Sequence, residues 1–199
     1  MSAVRLLVLG VVRMHGMAHG YVVRRELLSW AADKWANVQP GSIYHALKKM
    51  NAEGLLAHVD TADGDRPDKV TYELTADGER YFDQQLATML AEVRQDPSAN
   101  YAFAAAVAFL PALTRARATS LLEYRLTQLK GELANLDVAL SEGENWGHPR
   151  HVSALYRLWR AHVEADTTWT RDLLDRLGAG EYVMADDAGN SFGRPTSNR

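Results

Sequence analysis

The sequence predicts a mainly α fold with a small β-wing, arranged as two domains. Three observations predict it. Ile43, Ala46, Leu47 and Met50 recur at i, i+3, i+4 and i+7, the pattern of one short amphipathic helix. Two short apolar runs, Leu55–Val59 and Val70–Leu74, flank a charged Asp-, Gly- and Pro-rich stretch from Asp60 to Lys69, which reads as a hairpin with a charged tip. Farther along, Leu122, Leu126, Leu129, Leu133, Leu136 and Leu140 are spaced 4-3-4-3-4, the coiled-coil seam of packed helices.

Each element has a local reason. Residues 4–15 read as a buried helix ended by Gly16. Residues 18–36 read as a second helix, with Val22, Val23, Leu27, Leu28 and Trp30 on its apolar side. Pro40 and Gly41 break the chain, and Ser42 sits where an N-cap or first-turn residue belongs. Gly54 closes the third helix. After the hairpin, Thr75 caps a helix over 76–94. Pro97 marks a boundary, and Tyr101–Leu110 reads as a buried helix interrupted by Pro111. A long helix starts at Thr114, with Gly131 off its leucine seam, and a loop covers Ser141–Pro149. His151–Leu177 reads as the last long helix, ended by Gly178 and Gly180. The polar residues after it have little to bury, so disorder is expected there.

Composition narrows the function classes. The absence of cysteine excludes disulfides and thiolate metal sites, and fits a reducing cytoplasm. The first apolar run, Leu6–Val12, is too short to span a membrane, and Met17-Ala18-His19 makes a poor signal cleavage site. His15 and His19 are four residues apart, but Gly16 ends the helix between them, so neither a metal site nor any other cofactor is expected. With no nucleophile motif, phosphate-cradling loop or paired carboxylates, an enzyme is not expected.

A short helix followed by a charged hairpin is the sequence form of a winged-helix DNA reader. The helix fits a major groove, and the hairpin tip can lie along the neighbouring backbone. The candidate DNA-binding residues are Ser42, Tyr44, His45, Lys48 and Lys49 on the helix, with Arg66 and Lys69 in the hairpin tip. Ser42 would bond a phosphate, Lys48 and Lys49 would neutralise phosphates, and His45 would reach a base edge. Tyr44 would pack under the wing, with only its hydroxyl at the DNA. The net charge of −3 pulls the other way, because DNA affinity comes largely from neutralised phosphates. Positive charge must then be concentrated locally, at Arg24 and Arg25, at Lys48 and Lys49, and at Arg66 and Lys69.

The N-terminal half resembles the PadR family of bacterial transcriptional regulators. The matching pieces are Leu6-Leu-Val-Leu-Gly10, Ala18-His-Gly-Tyr21, Pro40-Gly-Ser-Ile-Tyr44, Ala46-Leu47, Glu53-Gly-Leu-Leu56, Arg66-Pro67 and Tyr72-Glu-Leu-Thr-Ala-Asp-Gly78, all in order. The C-terminal half resembles the longer subgroup of that family, whose helical domain is like that of virulence activators. Asn100–Pro111, the Leu121–Leu140 helix and the Trp159…Trp169 helix carry that likeness. The resemblance implies a cytoplasmic homodimer that binds double-stranded DNA at a pseudo-palindromic operator, usually as a repressor and in some members as an activator. Some members respond to phenolic or drug-like aromatics. The wing departs from the family in its Asp63, Asp65 and Asp68, set around Arg66 and Lys69.

The expected organisation is a winged helix-turn-helix DNA-binding domain over 1–85, a connecting helix and linker over 86–99, a helical dimerisation domain over 100–178 and a disordered tail over 179–199. The six leucines of the seam are the expected dimer contacts. Tyr156, Trp159 and Trp169 are the candidate pocket for a small aromatic effector, although aromatics at helical spacing more often serve a core or interface. A rival reading is a winged-helix module that binds a partner protein rather than DNA, and the near-neutral N-terminal domain and acidic wing favour it.

Overall fold

Helix α1, Ala3–His15, is apolar on nearly every side, and Leu6 through Leu9, Val11 and Val12 are all buried. A helix without a polar face belongs in the middle of a core. The computed structural model, which describes residues 2–59, 70–94, 96, 98–143, 145–189 and 192, places it there. Around α1 are packed β1 (Met17–His19), α2 (Gly20–Ser29), α4 (Pro40–Ala52) and α6 (Ala99–Ala108). The remaining elements are α3 (Ala32–Trp35), β2 (Leu56–Val59), β3 (Thr71–Leu74), α5 (Ala76–Ala91), a 3-10 turn (Leu110–Ala112), α7 (Arg115–Glu142) and α8 (Val152–Gly178).

The fold is mainly helical with one small antiparallel sheet, as the sequence predicts. The sheet has three strands in the order β1-β3-β2, with Tyr72 opposite both Ala18 and His58. Strand β1 is an addition to the sequence reading, which ran 18–36 as one helix. That helix is also broken. Ala31 takes a left-handed φ of 54°, and the Trp35 Nε1–H donates to the Trp30 carbonyl at 2.7 Å across the break. The αL conformation costs a residue with a Cβ about 1–2 kcal/mol, and that indole hydrogen bond helps to hold it.

The chain divides into two units, and their composition differs from the expected order of domains. The first unit holds residues 1–90, 94–115 and 183–199. Helix α6, expected in the C-terminal helical domain, therefore belongs to the N-terminal unit. So does part of the segment expected to be a disordered tail: Met184 is wholly buried, and the Ala185 N–H donates to the Leu113 carbonyl at 3.0 Å. One well-placed apolar side chain outweighs the polar composition around it.

The second unit holds residues 91–93 and 116–182. It is an antiparallel hairpin of α7 and α8, with Arg160 on Asp137 at 2.7 Å. Burial is concentrated toward one end, at Ala118, Leu122, Arg125 and Leu129 of α7 and at Thr167, Thr170, Leu173 and Leu177 of α8. Both buried threonines donate their hydroxyls one turn back, to Val163 and Asp166 carbonyls at 2.7 Å, so neither is an unmet polar group. Burial lowers the Arg125 pKa, and the charge of Asp166 opposes that shift. Arg125 Nη1 also donates to the Glu92 carbonyl at 2.9 Å.

Candidate nucleic-acid interface

Helix α4 begins at Pro40, one turn earlier than a Ser42 cap would place it. Pro40 at the first helical position wastes no hydrogen bond, because that N–H has no intrahelical partner in any case. Ser42 is then the third helical residue. Its hydroxyl donates to the Gln39 carbonyl at 2.7 Å and accepts from the Gln39 N–H at 3.2 Å. It is an element of the cap. Gly54, at φ 75°, ends the turn after the helix, and the Leu55 N–H returns to the Met50 carbonyl at 2.9 Å.

The two faces of α4 are sharply divided. Ile43, Ala46, Leu47 and Met50 are buried, and Tyr44, His45, Lys48 and Lys49 are exposed. The helix packs on α1 and α2, so its apolar side is fixed and its basic side is left outward. The Tyr44 ring lies over Gly20 at the start of α2, where a Cβ would fall 2.7 Å from the ring. This close approach explains why the segment at 18–21 needs glycine.

Charge pairing sharpens the basic face. Glu53, just past the end of α4, is gripped by Arg5 through two hydrogen bonds of 3.1 and 2.5 Å. The Arg5 hydrogen bonds hold its carboxyl below the usual carboxylate range. Arg13 is joined to Glu79 at 2.7 Å, and Arg80 is paired with Asp77. By contrast, Arg25, Lys34, Lys48 and Lys49 have no ion-pair partner among the described residues. Among the described residues, the near-zero total charge of this domain thus conceals a division between cations held in ion pairs on its flanks and cations on α2, α3 and α4 outside any ion pair, of which Lys49 acts on Glu53 through its charge. The sequence reading passed over Tyr21, which is 62% exposed on the first turn of α2 next to Gly20. An exposed large aromatic beside a glycine was its available signal.

The wing strands are in place, with the His58 ring edge-on to Tyr72 at 5.1 Å. Arg66 and Lys69 lie outside the described residues. The wing's return is bolted to the end of α4. The Thr75 hydroxyl donates to the Gly54 carbonyl at 2.7 Å and accepts from the Gly78 N–H at 3.0 Å. A Cβ on Gly78 would fall 2.0 Å from the Leu55 carbonyl oxygen, so only glycine fits there.

The other sequence-predicted residues separate into groups. His19 is held in the sheet with its Nδ1 2.8 Å from the Thr71 hydroxyl. In α7, Leu122 and Leu129 are wholly buried, whereas Leu126, Leu133, Leu136 and Leu140 are half-buried. Tyr156 and Trp159 meet edge-to-face at 5.5 Å, in a chain of rings that continues through His148 to Trp146. Trp169 is ten residues beyond Trp159, about 15 Å along the helix, and is not part of that cluster. Among the described residues no helix is long and apolar enough to cross a membrane.

A comparison with curated proteins found no match. Among solved structures, Bacillus subtilis PadR in complex with operator DNA is 19% identical with a TM-score of 0.39, covering 87% of this chain and 98% of that one. Bacillus subtilis PadR in complex with p-coumaric acid is 18% identical with a TM-score of 0.37, covering 88% and 96%. The sequence model of the transcriptional regulator PadR-like family matches residues 8–84, which take in α2, α4, both wing strands and the Thr75–Gly78 junction. By that match, residues 8–84 of this chain are similar to the transcriptional regulator PadR-like family.

Proposed function

We propose that this DNA-binding transcriptional regulator works in the cytoplasm as a homodimeric repressor, each protomer laying α4 into one half-site of a pseudo-palindromic operator. The observation that carries the reading is the divided surface of α4: a locked apolar side, and an outward side bearing His45, Lys48 and Lys49. In this reading the two lysines neutralise phosphates and His45 reads a base edge, with Arg66 and Lys69 of the wing on the adjoining backbone. Tyr44 and Tyr21 offer hydroxyls at the rim of the same surface.

A half-site reader gains its affinity and register from a second copy. The α7–α8 hairpin supports this. Its buried layer fades toward the loop end, where Leu133, Leu136 and Leu140 are half-buried and Leu155 and Leu158 are 47% and 50% exposed. An apolar strip of that kind on long helices is suited to a second hairpin. The aromatic effector belongs with this strip, at the Tyr156–Trp159 ring pair, and Trp169 falls outside the pocket.

Selection of bound fragments from genomic DNA by the purified protein, followed by salt titration of the recovered duplexes, tests the reading. Recovery of a shared inverted repeat, bound with a steep salt dependence, is the expected result. Failure to retain any duplex would favour the rival, a winged helix that docks a partner protein, for which the near-zero domain charge speaks.

A further inference from the structure

The C-terminal segment returns to the first unit and is fastened at several points. Met184 is wholly buried and its N–H donates to Asp187 at 2.8 Å. The Ala185 N–H meets the Leu113 carbonyl at 3.0 Å, and the Arg115 N–H meets Asp186 at 2.9 Å. The Arg115 guanidinium is paired with Asp187.

Beyond these anchors, Phe192 stacks on Phe109, with ring centres 5.8 Å apart and 26° between planes, and lies 5.4 Å from the Trp30 ring. Phe109 is wholly buried, edge-to-face with Phe82 at 5.6 Å and with Trp30 at 5.9 Å. Its tip rests on Gly10 of α1, where a Cβ would fall 2.2 Å from the ring. Four rings from α5, the end of α2, the end of α6 and the C-terminal segment therefore form one cluster. Trp30 caps α2 at its C-terminal end, and its carbonyl carries the hydrogen bond that fixes the break into α3.

We propose that residues 183–189, together with Phe192, form a strap that positions α2, and through it the α4 helix packed on α2. Phe192 is the positioning residue. It makes no DNA contact of its own. It closes the outer side of the Trp30–Phe109 ring pair, so that the α2–α3 corner is held from a point more than a hundred residues away in the chain. The consequence for DNA binding rests on the reading of α4 given above; the mechanical role does not.

Hydrogen exchange on the full chain, resolved by peptide, tests the strap without DNA. Phe192→Ala should speed exchange by about tenfold over residues 26–36 and 105–113 and leave α8 unchanged, because the local opening becomes easier there. Phe192→Tyr, which keeps the ring, should restore the wild-type pattern. Wild-type exchange in Phe192→Ala would overturn the proposal. An increase spread equally over α8, or no rescue by tyrosine, would overturn it too. On duplex fragments retained by the wild-type protein, Phe192→Ala should bind several-fold more weakly with an unchanged salt slope, since every phosphate-neutralising cation stays in place. Undiminished affinity despite faster exchange would overturn the link from strap to α4.

Discussion

The Ser42 hydroxyl donates to the Gln39 carbonyl oxygen at 2.7 Å and accepts from the Gln39 N–H at 3.2 Å, so the side chain is turned back onto the start of its own helix. Its contribution is then to stability. Ser42→Ala should lose about 1 kcal/mol in urea unfolding, the usual cost of a missing cap. Duplex affinity of the folded variant should stay within a few-fold of wild type. A variant of full stability that binds tenfold more weakly would return Ser42 to the phosphate backbone.

Lys48 and Lys49 are outward on α4 and have no ion-pair partner among the described residues. Replacing both with alanine should lower the slope of log affinity against log salt by about 0.9 for each phosphate left without its lysine. The weakening should be similar on every duplex. His45→Ala should behave differently, relaxing preference at one position of each half-site at a cost of about 1–3 kcal/mol there. A double lysine variant with the wild-type slope would remove α4 from the interface.

Two glycines separate a steric requirement from a tolerated weakness. Gly78→Ala must push a Cβ against the Leu55 carbonyl, 2.0 Å away, which is backbone and has little room to yield. A loss of about 2–3 kcal/mol in thermal or urea unfolding is expected, on the scale of overpacked cores. Gly131 is exposed on α7 with nothing within 4 Å of a Cβ. Gly131→Ala should therefore stabilise the protein by about 0.5–1 kcal/mol through helix propensity alone. Equal effects at the two sites would show that the wing junction is more compliant than its geometry implies.

What could be read from sequence was what is local. The apolar period of α4, the two short apolar runs of the wing strands and the Thr75 cap all lie within a few residues of the structure they specify. Strand β1 was hidden because Met17-Ala18-His19 has no strand pattern of its own. It is extended because β3, some fifty residues later, offers it hydrogen bonds. The left-handed Ala31 was hidden for a similar reason, since alanine favours helix and the break depends on the Trp35 indole. The tail illustrates the weakness of composition: its polar residues suggest disorder, yet Met184 and Phe192 find apolar partners in distant segments. For the candidate site, residue type and face were legible on α4. The use of Ser42 in the cap and the pairing of Arg5 with Glu53 depend on three-dimensional neighbours.

The leucine seam can now be divided into internal and outward parts. Leu129 is wholly buried in a single chain. Leu129→Lys would bury an unpaired charge, so it should unfold the second unit whatever the oligomeric state. Leu155→Glu with Leu158→Glu alters side chains about half exposed in one chain. It should keep the helical signal, sediment as a monomer and bind duplex far more weakly. A folded double variant that still sediments as a dimer would place the protomer interface elsewhere.

Acid should loosen the strap. The Asp187 carboxyl accepts the Met184 N–H, which holds its pKa below the usual range, and the charge of Arg115 acts in the same direction. Asp186, which accepts the Arg115 N–H, is the other acidic group on this corner. A carboxylate with a lowered folded pKa contributes its full stabilisation above its unfolded value, near pH 4. That contribution disappears as the pH falls through the folded value. Asp187→Asn should accordingly be less protected than wild type over residues 105–113 at pH 7, and the difference should close as the pH falls through the lowered folded pKa of Asp187. Glu53 titrates over the same acid range and weakens the Arg5 pair in both proteins alike, so the difference between them isolates Asp187. A gap that stays constant down to low pH would assign the strap's hold to Met184 and Phe192, with no share for the Asp187 charge.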